Sequence, residues 1–136
     1  MKNISKHITF EEATRSQIAI RNKIDNIPDD ATINRMEIVA SVCFEPIREW
    51  YGKPLIISSF YRNEKVNNLL KGSKNSQHIK GEAIDIDTGN REENEKIFEW
   101  AKANLKYDQL INEYDYSWVH ISFSLGSNRN QTLIIK

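Results

Sequence analysis

A single cysteine, Cys43, stands in a chain of 136 residues, so no internal disulfide can form. Its place within an apolar helical pattern reads as a small buried hydrophobe. No stretch reaches the roughly 18 consecutive apolar residues of a membrane span, and Met1-Lys2-Asn3-Ile4-Ser5-Lys6-His7 lacks the apolar core of a signal peptide. The expectation is a chain made in the cytoplasm, without a signal peptide and with no membrane partner. Charge of one sign is also missing: Lys+Arg 19 against Asp+Glu 19 gives formal net charge +0. No global field draws the protein to phosphate backbones, and nucleic acid is not an expected partner. Five glycines and three prolines beside 39% hydrophobic residues exclude collagen, linker and low-complexity classes. At this length one domain, 1–136, is expected, burying about 68% of its unfolded surface.

What is present begins with Thr9-Phe10-Glu11-Glu12, whose spacing is that of a capping box opening a short polar helix through about Ile20. Ile33, Met36, Val39, Cys43, Ile47 and Trp50 recur every three or four residues, which predicts one long helix over about Asp30 to Tyr51, kinked at Pro46 and stopped by Gly52. Pro54 to Ser59 reads as a strand, Glu64 to Lys71 as a helix, Glu82 to Asp87 as a strand and Arg91 to Asn104 as a helix. Tyr107 to Tyr114, Trp118 to Phe123 and Thr132 to Ile135 read as three further strands. Helices early and strands late predict an α+β domain, an antiparallel sheet with helices packed on one face.

Two of three histidines occupy informative places. His78 precedes a strand in which alternation puts Ala83, Asp85 and Asp87 on one face and Ile84 and Ile86 on the other. In Trp118-Val119-His120-Ile121-Ser122-Phe123 the same rule sends Val119, Ile121 and Phe123 to the core and Trp118, His120 and Ser122 away from it. His78, Asp85 and His120 can then converge on the non-core face as a His, Asp, His set, and zinc accepts three protein ligands with a fourth position open. Spacing alone also fits a solvated loop histidine beside a surface acid.

Ser76-Gln77-His78-Ile79-Lys80-Gly81-Glu82-Ala83-Ile84-Asp85 resembles the S-x-H-x-x-G-x-A-x-D signature of the M15 zinc D-Ala-D-Ala carboxypeptidases, and Trp118-Val119-His120 resembles their second histidine motif. Phe10 to Ser16, Ile24 to Pro28, Ile57 to Arg62, Gln109 to Glu113 and Asn128 to Asn130 are similar, in matching order, to the phage and prophage branch of that family. The resemblance implies the hedgehog/DD-peptidase fold, one zinc ion on His78, Asp85 and His120, and hydrolysis of a peptidoglycan stem peptide as a D,D-carboxypeptidase or endopeptidase. It also implies a substrate contact from Arg62, with Ser76 and Gln77 beside it, and possible partnership with other phage or lysis proteins. The action would fall at the cell wall, after release or within a phage particle.

Many relatives carry an acid three positions before the last histidine; here that position is Ser117, which leaves Glu113 and Asp115 as candidates for the base. A hairpin turning on Asp115-Tyr116 would pair Glu113 with Trp118 and Ile111 with His120, bringing Glu113 to the metal face; an odd-length turn or a bulge would reverse it. The phage-branch match at Gln109 to Glu113 includes the acid. The alternative function is a non-catalytic zinc-containing binding or virion structural module of the same fold, as in the hedgehog signalling domain; a further one is a cytoplasmic dipeptidase.

Overall fold

Capping chemistry sets where the helices begin. The computed structural model describes residues 2–136. Thr9 Oγ1 accepts from the Glu12 N–H at 3.0 Å and the Glu12 carboxylate accepts from the Thr9 N–H at 3.0 Å, opening α1 (Phe10–Thr14). The single helix expected through Ile20 is two, because Ser16 caps a new start: its hydroxyl accepts from Ala19 N–H at 3.2 Å and begins α2 (Gln17–Arg21). Asp29, Asn63 and Asn90 similarly cap α3 (Asp30–Val39), α5 (Glu64–Leu69) and α6 (Arg91–Asn104).

The long helix keeps its course from Asp30 to Tyr51 but meets Pro46 by widening. Pro46 has no N–H, and its ring would collide with the carbonyl four residues back. A π-helical segment, Ala40–Phe44, precedes it; the Glu45 N–H reaches five residues back to the Ala40 carbonyl, and Pro46 falls in the first turn of α4 (Glu45–Tyr51). Gly52, at φ 75°, ends α4 in the left-handed region.

The strands are β1 (Ile56–Ser59), β2 (Ala83–Asp87), β3 (Gln109–Glu113), β4 (Trp118–Ser122) and β5 (Gln131–Ile135), ordered β1-β2-β4-β3-β5 across one sheet. Three of the pairings are antiparallel, as expected; β5 instead lies parallel to β3. The chain leaving β4 crosses the start of β3, where Asn130 N–H donates to the Tyr107 carbonyl and Gln131 N–H to the Asp108 carbonyl, so β5 must begin at the same end as β3. In β1 the pairing shifts between Ile57 and Ser59, a bulge at Ser58 that brings Ser59 opposite Asp85.

Ile84, Ile86, Leu110, Val119 and Ile121 are buried with Met36, Val39, Cys43, Phe44, Ile47, Ile97 and Ala101 of the helical layer, and this is the core. Burial pushes the Cys43 thiol up to about 12. The other face carries the row Ser59, Asp85, His120, Ile111, Leu133, one residue from each strand in register. Among the described residues no helix is long and apolar enough to cross a membrane.

Candidate metal centre

The loop before β2 is built to aim His78. Ser76 Oγ accepts from the His78 N–H at 3.2 Å, and the His78 carbonyl accepts from Gly81 and Arg62 N–H groups, each at 3.2 Å. Gly81 closes this turn at φ +72°, pressed against Thr32 and Met36 of α3. The ring is buried, and its Nδ1 lies 2.7 Å from the Phe60 carbonyl. A carbonyl only accepts, so Nδ1 carries a proton and Nε2 is the ring nitrogen turned toward the carboxylate. Phe60 thus serves twice: its side chain is buried in the core while its carbonyl fixes the tautomer.

Nε2 of His78 is buried without a hydrogen-bond partner, although Asp85 Oδ2 is 3.2 Å away. A ring nitrogen and a carboxylate oxygen buried at that distance can share one cation. Asp85 Oδ1 lies 3.0 Å from His120 Nδ1, the two being direct cross-strand neighbours on β2 and β4. The two imidazole rings meet edge to face with centroids 5.2 Å apart. Burial opposes ionisation of Asp85, but the two imidazoles outweigh it and hold its carboxyl well below the usual carboxylate range. One ligand atom from each of His78, Asp85 and His120 lies within 4.8 Å of the others. Two nitrogens and a carboxylate oxygen fit a divalent cation of borderline softness.

The trio opens into a cleft of about 700 Å³, which Arg62, Ser76, Gln77, Glu113, Trp118 and Arg129 also line. β3 and β4 pair Glu113 with Trp118 and Ile111 with His120, the register expected from the sequence. Glu113 accordingly reaches the cleft, and its Oε2 accepts from the Trp118 indole N–H at 2.5 Å. Asp115 does not line the cleft; it is exposed in the turn at φ 55°. Ser117 caps that turn, its hydroxyl donating to the Tyr114 carbonyl at 2.6 Å. Burial lowers the Arg62 pKa, while the carboxylates of Asp85 and Glu113 oppose the shift; its Nε is buried without a partner. Gln77 also holds a buried, unpartnered Oε1.

Two further acids and the third histidine also find partners. Asp108, buried at the start of β3, takes Arg129 Nε at 3.0 Å and Nη2 at 2.8 Å, fixing the guanidinium at the rim of the cleft. Asp87 shares the strand face of Asp85 but turns to structural work, accepting from Gly89 N–H at 2.8 Å and Asn94 Nδ2 at 3.0 Å. His7, the third histidine, sits 2.6 Å from Glu45 and ties the N-terminal segment to α4.

A buried imidazole and carboxylate cluster at the base of a cleft, with a further carboxylate and a guanidinium on its walls, defines the class: a metal-dependent hydrolase site on an α+β scaffold. The family model described as Peptidase M15 matches residues 6–122. The chain belongs to the M15 peptidases, a metallopeptidase family. No curated protein matches the sequence.

Proposed function

We propose that this chain is a zinc peptidase that hydrolyses a bond in the stem peptide of peptidoglycan. The observation that carries the reading is the convergence of His78, Asp85 and His120 at the base of a cleft that also holds Glu113 and Arg62. His78, Asp85 and His120 would hold the zinc ion, which would supply Lewis acidity to the scissile carbonyl and to the attacking water. Glu113 accepts the proton of that water and returns it to the leaving amine. Arg62 holds a substrate carboxylate or the negative charge that develops on the attacked carbonyl. Ser76 and Gln77 shape the wall against which the peptide lies.

Lys71 and Arg129 join Arg62 along the cleft, which suits a substrate bearing several carboxylates, as a stem peptide does. A second lobe of about 360 Å³, lined by Arg15, Gln17, Ile18, Ile57 and Ser58, shares Arg62, Asp85 and Trp118 with the first. Both lobes fall in the size range of ligand sites, roughly 300–1,000 Å³. Space beyond the trio for residues on both sides of the scissile bond suits internal cleavage, and endopeptidase action is the form of the reaction we propose. The protein would work at the cell wall, after release or as part of a phage particle, with other lysis proteins as candidate partners.

The test is digestion of purified peptidoglycan, and separately of free D-Ala-D-Ala, by the zinc-loaded protein, with new amino termini located by mass spectrometry. New termini inside the stem peptide are expected. Loss of a terminal residue alone makes it a carboxypeptidase, cleavage of the free dipeptide alone makes it a dipeptidase, and no cleavage by fully loaded protein leaves the binding module.

A further inference from the structure

We infer that Trp118 is a positioning residue for Glu113, a role that rests on the peptidase reading. The two residues oppose each other on β3 and β4, so both side chains project to the metal side of the sheet. The indole N–H is a donor only, and it takes Oε2 of Glu113 at 2.5 Å. Oε1 has no hydrogen-bond partner among the described residues, which leaves that oxygen for a proton in the cleft. The indole is itself braced: the Tyr114 ring meets it edge to face, centroids 5.4 Å apart and planes at 60°.

Glu113 needs such a tether. It ends β3 immediately before three left-handed residues, Tyr114, Asp115 and Tyr116, at φ 51°, 55° and 58°. A glutamate at a strand end has three free torsions, and a base works only when its oxygen stays within hydrogen-bond reach of the proton it takes. Trp118 therefore acts on the chemistry through Glu113, without touching the ion.

Trp118→Phe keeps the aromatic ring and removes the donor. With zinc-loaded protein and a soluble muropeptide, kcat should fall about 10- to 100-fold with KM within about twofold, the scale of a misplaced reacting group. Zinc content should stay at that of the wild type. In a Glu113→Ala background the same change should add no further loss. Unchanged kcat, a rise confined to KM, or additive losses overturn the inference.

A second readout needs no turnover. Among the three tryptophans, the indole N–H resonance that disappears in Trp118→Phe should move upfield in Glu113→Ala, in protein with or without zinc. An unmoved resonance overturns the contact itself. Wild-type protein that cuts no wall substrate refutes the peptidase reading, while the resonance still decides whether Trp118 holds Glu113.

Discussion

Replacing Gly81 with alanine tests how the metal-binding loop is seated on α3. An added Cβ would lie 2.5 Å from Met36 Cγ, 2.9 Å from Thr32 Cγ2 and 3.1 Å from the Thr32 carbonyl, on a backbone at φ +72°. The left-handed conformation alone costs about 1–2 kcal/mol. Overpacking a filled site costs about 1–3 kcal/mol more, and Met36 is fully buried. The sum, about 2–5 kcal/mol, is a large share of a typical folding stability of about 5–15 kcal/mol. Gly52 is the control: its φ is +75° but nothing lies within 4 Å of the Cβ it would gain. Urea unfolding with a chelator present, so that metal binding does not mask the loss, should place Gly81→Ala about 1–3 kcal/mol below Gly52→Ala at equal m-value. Zinc affinity should drop in Gly81→Ala only, because the Gly81 N–H closes on the His78 carbonyl. Equal destabilisation by the two substitutions refutes the steric argument; a loss near zero in both refutes the backbone one.

Glu113→Gln should lower turnover about 10²–10⁴-fold while zinc content is unchanged, and turnover that survives refutes Glu113 as the base. His120→Ala should lose the metal, as read by metal analysis of the purified protein; full occupancy would sink the ligand assignment. The side-chain bond from Arg129, against a smaller opposing effect of burial, holds the Asp108 carboxyl below its ordinary value. Its contribution is complete above the unfolded carboxylate pKa, near pH 4, and fades as pH falls through the lower folded value. The stability gap between wild type and Asp108→Asn should therefore close on acidification; a gap constant down to about pH 2 contradicts the pairing. Cys43, buried and pushed up to about 12, should resist alkylation in native protein and react fully in urea; native labelling at pH 8 would contradict its burial.

The strands around the site were legible because one of their faces is apolar. Ile84 and Ile86, and Val119 and Ile121, alternate with Asp85 and His120, so burying the first set fixes where the second points. The hairpin register was legible only on the condition of an even-length turn, which the four residues between Glu113 and Trp118 meet. The direction of β5 was not legible, since the apolar run at Leu133 to Ile135 says nothing about which neighbour it joins; that depends on the crossing anchored at Tyr107 and Asp108. The split between α1 and α2 turned on Ser16 preferring a cap to a helix interior. Main-chain partners were also invisible: nothing in the sequence pattern says that the carbonyl of Phe60 orients His78.

Register is therefore as much a determinant of this site as any side chain in it. Asp85, His120 and Ile111 occupy one row across β2, β4 and β3, with apolar Ile111 donating no ligand and flooring the cleft beside the histidine. Glu113 stands two residues further along β3, about 7 Å on at strand rise, a spacing that admits a small molecule between it and the ligands. A slip of one residue in the β3–β4 hairpin would turn Glu113 toward the helices and bring Asn112 to the cleft. Asn112 resists that slip, because its Oδ1 takes the Tyr116 N–H at 2.6 Å and clamps the turn to the strand that precedes it. The left-handed residues of the turn hold the same register from the other side, so the placement of the carboxylate is set by backbone geometry before any metal or substrate arrives.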